Sequence, residues 1–382
     1  MAPRTVASGP DGRGCLALAP DGRLSRVSGH DRPLPWLSDL WWAYRLRWKR
    51  REYLWRAIRA RHQLRTQGNR TAAIRPGQVL CFATIRNESL RLPGFLRHYR
   101  NLGVDHFLLV VHDSSDGTLD LVADQPDISV WTSSGSYRDA RFGMDWLGWL
   151  LARYGHGHWC LTVDADELLI YPHWTDQNLH SLTRQLDRDG QPALGALMLD
   201  LYPKGPVDQP SPRDDDPLSG LDWFDPGPYR MAIQYPKWNR WVQGGPRERV
   251  FFPDATDRAP TLNKLPLIRW HRRYAYANST HSVLPRRLNQ LYDGPGDPRL
   301  SGVLLHTKFM PDVADRARDE KRRGQHFNDA KAFDSYYDAL TLAPQLWHQG
   351  SVQLAGWQQL VDLGLMSAGH WNPDMRIVDE KI

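Results

Sequence analysis

A strand-like segment that ends in carboxylates constrains this chain more than any other feature. The segment WCLTVDADELLIYP runs from Trp159 to Pro172, and its first five residues have the apolar, aromatic and β-branched side chains of a buried strand. Asp164, Asp166 and Glu167 follow directly. In an open α/β sheet the carboxyl ends of the strands face the ligand crevice. The segment therefore predicts a cation site or a polar-substrate site at a sheet edge.

The residues before this strand alternate between strand and helix patterns. Apolar runs at 79–85, 106–111 and 128–131 predict strands, and apolar residues recur at helical spacing over 88–102 and 136–154. Such alternation is typical of a parallel sheet with right-handed crossover connections. We therefore expect an α/β fold with a mixed, mostly parallel sheet.

The second half of the chain is less regular. A helix is expected over 179–186, and strands are expected from Leu194 and over 264–270. The stretch 203–230 is rich in Pro, Asp and Gly, which predicts a long loop and a candidate lid, because long loops in compact domains are usually functional or mobile. The motif GGPRER, which begins at Gly244, indicates on its own a hairpin turn with solvated charges.

Composition divides the chain into three parts. Residues 1–76 are expected to hold a poorly ordered leader, up to about residue 34, followed by a basic aromatic helix. Residues 77–310 form the predicted main domain, and residues 311–382 form a predicted helical extension.

The predicted N-terminal helix carries aromatic and basic faces. Trp41, Tyr44, Trp48, Trp55 and Ile58 recur at helical spacing, and the stretch 41–65 contains nine basic residues against one acid. Such a helix either lies on an anionic membrane or nucleic acid, or packs its rings on the main domain with its arginines in solvent. The second arrangement is the commoner one, and the first would hold the protein peripherally at the inner membrane.

Overall charge and composition exclude some classes of protein. The chain has 49 Lys and Arg against 43 Asp and Glu, a net charge of +6, which favours anionic partners. A hydrophobic content of 41% excludes a disordered chain. We find no apolar run that would cross a bilayer and no secretory leader, and the three distant cysteines indicate reduced thiols. We therefore expect a cytoplasmic protein.

Arginines and histidines later in the chain are candidate ligand residues. Arg247 and Arg249 follow two glycines, and forked guanidinium groups suit phosphate oxygens. His281 lies in NSTHSVLP, and His306 lies in GVLLHTKF. A lone histidine is more often structural than a ligand, but one of these two could complete a carboxylate metal site.

Several of these motifs occur in an order that resembles one known family. The motifs are VLCFATIRNE, the polar turn after the second strand, VDADELLIYP, GGPRERVF, KLPLIRW and LLHTKF. Together they resemble the bacterial glycosyltransferase family 2 proteins, in the branch with RNE and DADE motifs, over residues 35–370. The resemblance implies a GT-A fold, which is a Rossmann-like α/β sandwich that binds a nucleotide sugar. It also implies an inverting transfer to a glycan or lipid-linked acceptor, as in surface polysaccharide synthesis.

The resemblance assigns roles to particular residues. Asp164 and Asp166 match a DxD element, whose last carboxylate binds Mn²⁺ or Mg²⁺, a hard cation that prefers oxygen ligands and bridges the donor's diphosphate. His281 is the first choice for a further metal ligand, and His306 is the second. Glu167 is expected to be structural. The residues expected to contact the nucleotide sugar are Thr84, Arg86, Asn87, Glu88, His112, Asp113, Asp164, Arg247 and Arg249.

One position departs from the family pattern. Relatives usually carry an acidic residue at the end of the second strand, where it helps to recognise the base, but Val111 and His112 match those positions here. Asp113 and Asp116 keep the loop acidic. The resemblance therefore does not specify the donor's base.

The catalytic base is a separate question. An inverting transfer needs a carboxylate within reach of the acceptor hydroxyl, on the side opposite the leaving group. Asp225, in DWFDPGPY, is the first candidate and Glu248 is the second, although either is equally compatible with a surface acid.

Two other functions compete with a transferase. The first is a non-catalytic, transferase-like protein that binds nucleic acid or an anionic glycan. The second is a metal-dependent phosphoesterase, which would use the same acids but needs a denser cluster of metal ligands than the sequence offers.

Overall fold

The computed structural model describes residues 14–18, 24–26, 36–208, 220–323 and 334–373. In chain order the strands are β1 (Gly14–Leu18), β2 (Leu24–Arg26), β3 (Arg65–Gly68), β4 (Val79–Ile85), β5 (His106–His112), β6 (Ile128–Ser133), β7 (Trp159–Thr162), β8 (Glu167–Ile170), β9 (Ala193–Asp200), β10 (Trp223–Phe224), β11 (Tyr229–Gln234), β12 (Asn239–Gly244), β13 (Asn263–Arg269), β14 (Ala275–Tyr276), β15 (Val283–Leu284), β16 (Gly302–His306) and β17 (Val352–Gln353). The helices are α1 (Trp36–Ala60), α2 (Leu92–Asn101), α3 (Thr118–Ala123), α4 (Met144–Tyr154), α5 (Leu179–Arg188), α6 (Gly245–Phe251), α7 (Val313–Arg323), α8 (Asp334–Thr341) and α9 (Trp357–Asp362).

A large mixed sheet forms the centre of the fold, which confirms the predicted α/β class. Among the described residues it has nine strands in the order β3-β6-β5-β4-β7-β13-β9-β16-β8. Most strands run in one direction, and β3, β8 and β13 run against them. The first four parallel strands along the chain are β4, β5, β6 and β7, and they lie in the spatial order β6-β5-β4-β7. This is the strand order of a nucleotide-binding half of a doubly wound sheet, whose ligand crevice lies where the order reverses.

Helices cover both faces of this sheet. Alternate residues of β4 point to opposite faces, so Cys81 packs in a cluster with Phe95 and Tyr99 of α2, and Phe82 packs in a cluster with Trp146 of α4. This two-sided burial explains why the parallel strands are continuous apolar runs rather than alternating ones. It also directs polar residues to the strand ends.

Two predicted helices begin later than expected. The helix predicted over 88–102 begins at Leu92, with Pro93 in its first turn, where a proline is tolerated. The helix predicted over 136–154 begins at Met144, because Arg141, Phe142 and Gly143 have positive φ angles that a right-handed helix does not contain.

From its second glycine onwards the segment GGPRER forms a helix, α6, and the hairpin prediction was wrong. The backbone of Gly244 has a φ of 141°, and a Cβ atom there would lie 2.5 Å from the carbonyl oxygen of Pro228. Gly244 therefore lets the chain leave β12 and begin α6 within one residue, which a larger residue would not permit.

The predicted leader and loop contain strands that the sequence did not indicate. Within residues 1–34, β1 and β2 pair with each other, and β1 also pairs with β11. The loop predicted over 203–230 contains β10, which pairs with β17, and the start of β11. The other leader residues and 209–219, which belong to the candidate lid, lie outside the described residues. In addition, β3 pairs with β6, so the sheet begins before residue 77.

Helix α1 is docked on the main body through polar contacts. Asp39 forms an ion pair with Arg286, with a shortest distance of 2.6 Å, and Arg56 forms one with Asp145 at 2.8 Å. Of the aromatic residues predicted to pack on the body, Trp41 and Trp48 are more than half exposed. The helix therefore docks by its other face, contrary to the commoner arrangement considered above. None of the described helices is both long and apolar enough to cross a bilayer.

Candidate active site

Strand direction brings the polar residues of the site together. The carboxyl ends of β4, β5, β7, β9 and β16 lie at one edge of the sheet, and the amino ends of the opposed strands β8 and β13 reach the same edge. A cavity of about 440 Å³ opens there. Among the residues that line it are Thr84, Arg86, Glu88, His112, Asp164, Asp166, Glu167, Arg247, Lys264, His281, His306 and Lys308.

The three acids of the DADE motif form one cluster. Oxygen atoms of Asp164, Asp166 and Glu167 all lie within 4.8 Å of one another, the only such group of possible metal ligands in the described part of the chain. A tight turn builds this cluster, because the backbone N–H of Glu167 donates to the carbonyl of Asp164 at 3.1 Å. The side chain of Asp164 is 58% exposed, whereas that of Glu167 is 1% exposed. The cluster thus offers ligands from the solvent side inwards.

A buried lysine joins two of these acids. Lys264, near the start of β13, contacts Glu167 and lies 2.9 Å from an oxygen of Asp164. Burial works against a charged ammonium group, but the two carboxylates raise the pKa of Lys264. The acidic cluster therefore has a permanent internal cation, which the sequence analysis missed. A lysine inside the otherwise apolar strand KLPLIRW was the available signal.

His306 contacts two carboxylates at once. Its Nε2 atom lies 3.2 Å from Asp166, and its Nδ1 atom lies 2.6 Å from Asp200, whose other oxygen accepts from Arg247 at 2.7 Å. Burial disfavours a charged imidazole, but Asp166 and Asp200 raise the pKa of His306. Burial likewise opposes ionisation of Asp166, but His306 holds its pKa well below the usual range. Both nitrogens of His306 are therefore engaged by acids rather than free to bind a metal.

The position of Asp200 in the sequence could have identified it as a residue of this site. It is the last residue of the buried strand β9, just as Asp164 and Asp166 follow the buried strand β7. Its side chain is 1% exposed, and the register of the sheet sets it directly opposite His306. An acid at the end of any buried parallel strand was therefore a candidate for this edge.

His281 has the properties of a neutral ligand. Its Nδ1 atom bonds the carbonyl oxygen of Asn263 at 2.7 Å, and burial lowers the pKa of His281 to about 3. The ring is therefore neutral at physiological pH, with its proton on Nδ1 and a lone pair on Nε2. No other described residue bonds Nε2, and His281 lines the cavity. The structure thus distinguishes the two predicted histidines by their hydrogen bonds.

Two residues of the RNE motif line the cavity, and the third bonds a neighbouring loop. Arg86 and Glu88 line the cavity, where Arg86 lies 2.7 Å from Asp319 and Glu88 is paired with Arg316, both from α7. Asn87 points elsewhere, and its side-chain oxygen accepts from the backbone of the loop after β5. The C-terminal extension therefore completes one wall of the cavity, which the sequence did not indicate.

The strand ends β4 and β5 add polar and aromatic lining. The hydroxyl of Thr84 is buried and has no hydrogen-bond partner among the described residues, although Thr84 lines the cavity. His112 also lines it, and its ring stacks on Tyr137 with 5.5 Å between centroids. Asp113 is exposed and does not line the cavity. At the end of β5 the cavity wall is thus aromatic rather than acidic.

Neither predicted catalytic base lines the cavity. Asp225 is 3% exposed, and its two oxygens contact Arg249, at 3.0 and 3.2 Å, and the hydroxyl of Tyr202. Glu248 forms an ion pair with Arg230. Arg249, predicted to bind phosphate, is thus committed to Asp225, and of the two arginines in the motif Arg247 alone lines the cavity.

Comparisons with known proteins add no family or relative. No protein-family model matches the chain, and a search of curated proteins finds no match.

Proposed function

We propose that this protein is a metal-dependent, inverting glycosyltransferase of the GT-A type, which moves a sugar from a nucleotide-sugar donor to a glycan or lipid-linked acceptor. One observation carries the proposal: Asp164 and Asp166 follow β7, beside β4, where the strand order reverses. In doubly wound sheets nucleotides bind outside the carboxyl ends of the strands at that point. The order of the RNE, DADE, GGPRER and LLHTKF motifs, which resembles family 2, supports the same function.

The donor set suits a hard divalent cation. Asp166 and the exposed side of Asp164 supply carboxylate oxygens. His281 lines the same cavity with a neutral Nε2 atom, but it is not one of the residues whose ligand atoms lie within 4.8 Å of one another. Mg²⁺ and Mn²⁺ are commonly bound by one or two carboxylates together with substrate phosphates and water. When bound, such an ion would neutralise the charge that develops on the leaving nucleoside diphosphate. Lys264 contacts both Glu167 and Asp164, whereas one oxygen of Asp166 contacts His306, so this proposal assigns the main metal contact to the other oxygen of Asp166.

Lys308 is a second source of positive charge for the diphosphate. It lines the cavity, and its ammonium group has no carboxylate within ion-pair distance among the described residues, although it lies 5.9 Å from the ring centroid of Tyr336. Burial lowers its pKa, which Asp166 partly offsets and Arg247 reinforces. An ammonium group that is desolvated without a carboxylate partner is stabilised by an incoming anion. We assign Lys308 to the donor phosphates.

The aromatic wall suits the nucleobase. His112, Tyr137 and Phe142 line the cavity on the side of β5, and the ring centroids of Tyr137 and Phe142 are 5.9 Å apart. Aromatic side chains bind the flat face of any base by stacking. In this proposal stacking replaces the acidic contact of the family that the sequence resembles, so the site would select the base less strictly.

The base for the acceptor needs a cavity carboxylate that is not committed to a cation. Asp257 lines the cavity and forms no ion pair with another described residue, whereas Glu88 is paired with Arg316. A free carboxylate is able to accept the proton of an attacking hydroxyl. We therefore propose Asp257 as the base, in place of Asp225 and Glu248.

The test measures metal-dependent binding of nucleotide sugars. Thermal stabilisation and release of nucleoside diphosphate are recorded for a panel of nucleotide sugars with Mn²⁺, with Mg²⁺ and with chelator. The panel is repeated for Asp166→Asn and for the matched control Asp124→Asn, an exposed acid outside the cavity. We expect at least one donor to stabilise wild type and Asp124→Asn only with metal, and not to stabilise Asp166→Asn.

The outcomes separate the competing functions. Turnover that requires metal and Asp166 supports the transferase. Metal-dependent binding without release of product supports the non-catalytic alternative. The proposal fails if no nucleotide sugar binds, or if binding persists in Asp166→Asn.

A further inference from the structure

Helix α1 presents a row of exposed aromatic and aliphatic side chains to solvent. We call this row the aromatic stripe, and it consists of Leu37, Trp41, Tyr44, Trp48 and Trp55. Each of these side chains is between 51% and 65% exposed. The residues follow one another at helical spacings, so they lie on one side of the helix, and Trp41 and Trp55 are separated by about 21 Å along its axis.

The opposite side of α1 is docked on the body of the protein. Leu46, Ala57 and Ala60 are the buried residues of the helix, and at 3.6 residues per turn they lie roughly opposite the stripe. Asp39 and Arg56 bind the body through ion pairs on the docked side and its flank. The orientation of α1 is therefore held by the fold, and the stripe is presented outwards rather than left over from a loosely attached helix.

Arginines stack on the rings of the stripe. The guanidinium carbon of Arg45 lies 4.7 Å from the ring centroid of Trp41, and Arg51 and Arg59 lie 4.6 Å from Trp48 and Trp55. None of these three arginines forms an ion pair with another residue in the described ranges. The stripe therefore carries uncompensated positive charge at the level of its rings.

Further basic residues lie around Arg50, on the docked side of α1. Burial, and then the neighbouring charges of Arg47, Arg273 and Arg287, lower the pKa of Arg50. The acids of α1 are committed to cations, with Asp39 on Arg286 and Glu52 on Lys49. The exposed side of α1 thus carries basic residues along its length.

We propose that the aromatic stripe and its arginines bind the surface of an anionic lipid bilayer, with α1 lying in the plane of the membrane. Trp and Tyr favour the headgroup region, and neighbouring arginines attract anionic phosphates. A protein surface rarely exposes five large apolar side chains along one side of a helix without a partner. This inference is independent of the proposed transferase activity.

The charge distribution selects lipid over the other occupants. A second copy of the chain would bring the same arginines against each other, which is unfavourable at an interface that is symmetric. Duplex nucleic acid would match the charge, but its bases are stacked on one another inside the duplex and would not bury three tryptophans, each of which already has an arginine over its ring. A bilayer surface provides both phosphate groups and an apolar layer below them.

The test uses the full chain and vesicle flotation. Binding is measured to phosphatidylcholine vesicles with and without phosphatidylglycerol, over a range of salt concentrations. The variants are Trp41→Ala/Trp48→Ala/Trp55→Ala and Arg45→Gln/Arg51→Gln/Arg59→Gln. The matched control, Arg184→Gln/Arg188→Gln/Arg322→Gln, removes the same charge from α5 and α7. The changed side chains are exposed, so we expect every variant to fold. Circular dichroism and thermal melting verify this for each one.

We expect wild type and the control variant to float with phosphatidylglycerol vesicles, and less so as salt increases. Both α1 variants should bind at least about tenfold more weakly, because binding scales with buried apolar area and with local positive charge. The proposal is overturned if wild type does not bind these vesicles or if the tryptophan variant binds like wild type. Two further results would overturn it, if wild type does not bind vesicles. The first is a dimer that the tryptophan variant does not form. The second is a gel shift of duplex DNA or RNA that the tryptophan variant does not give.

Discussion

The ammonium group of Lys264 lies 2.9 Å from the carboxylate of Asp164 and also contacts Glu167, so one buried cation joins the first and last acids of the DADE motif. Asp166, between them in sequence, contacts His306 instead. Two acids of the motif, Asp164 and Glu167, therefore pair with a buried lysine, and the third, Asp166, pairs with His306 at the cavity. This division explains how three acids within 4.8 Å of one another are accommodated in a largely buried site.

Removal of the lysine should destabilise the fold. Lys264→Met leaves Glu167, which is 1% exposed, as an unpaired carboxylate, and we expect the free energy of unfolding to fall by about 3–5 kcal/mol. Urea denaturation followed by circular dichroism measures the change. The double variant Lys264→Met/Glu167→Gln should recover much of the loss because it removes the unpaired charge. Lys49→Met, which breaks an exposed pair with Glu52, should cost less than about 1 kcal/mol. A cost for Lys264→Met similar to that of Lys49→Met would contradict the assigned role.

Asp225 and Asp257 should differ in what their loss affects. Asp225→Asn weakens a buried contact with Arg249, so we expect a loss of stability of about 1–3 kcal/mol. Its effect on the turnover of the folded fraction should be small. Asp257→Asn should leave the midpoint of thermal unfolding nearly unchanged, because Asp257 is exposed, and should lower kcat by about a hundredfold or more. Parallel melts and initial rates for the two variants make the comparison, and the reverse pattern would return the role of base to Asp225.

Lys308 should contribute to binding rather than to stability. Lys308→Gln removes an ammonium group that has no carboxylate partner among the described residues, so the free protein should be as stable as wild type or slightly more stable. The Kd for a nucleoside diphosphate should rise by about tenfold or more, since a charge-assisted contact to phosphate is lost. Isothermal titration calorimetry measures this, with the exposed Lys204→Gln as the matched control. An unchanged Kd would remove Lys308 from the donor site.

Protonation of His98 should make stability depend on pH. Burial lowers the pKa of His98 from 6.5 to about 4 in the folded protein, where its Nε2 atom bonds the carbonyl of Leu169 at 2.9 Å. Between these two values the unfolded chain binds the additional proton. The stability is therefore fully present above pH 6.5 and is lost as the pH falls towards 4, by up to about 1.4 kcal/mol per pH unit.

The variant His98→Gln isolates this effect. Glutamine keeps a hydrogen-bond donor but does not titrate in this range. Urea denaturation at several pH values gives the free energy of unfolding as a function of pH. Between pH 6.5 and 4 this free energy should fall less steeply for the variant than for wild type. Identical slopes for the two proteins would mean that another group causes the acid instability.

The extent of a helix depended on backbone details that apolar spacing does not report. The pattern over 136–154 predicts one long helix, but the left-handed conformations of Arg141 and Phe142 delay its start to Met144. At Gly244 the chain enters α6 where the sequence predicts a turn. The φ of 141° at Gly244 and its close approach to the carbonyl oxygen of Pro228 depend on tertiary packing. Apolar periodicity reports which residues are buried and not the φ angle at a particular residue.

The sequence by itself determined the class of the fold and the strands that end in functional residues. Short buried runs such as VLCFATI and WCLTV, rich in β-branched and aromatic residues, favour the interior of a covered sheet, and the polar residues that follow then lie at its edge. The location of Asp164, Asp166 and Glu88 at that edge therefore follows from the order of residues along the chain. These inferences are local, because each depends on a few consecutive side chains.

Only the tertiary structure decided how distant residues meet at this edge. Lys264 reaches it because β13 runs against its neighbours, which brings the start of that strand, not its end, to the acids. Asp200 and His306 are paired by the register of β9 and β16, although they are far apart in sequence. The choice of neighbouring strands and their direction result from the packing of the whole sheet, so no pattern within a single strand encodes which residues meet. The same holds for the aromatic stripe of α1, which faces solvent because the opposite side of the helix docks on the body.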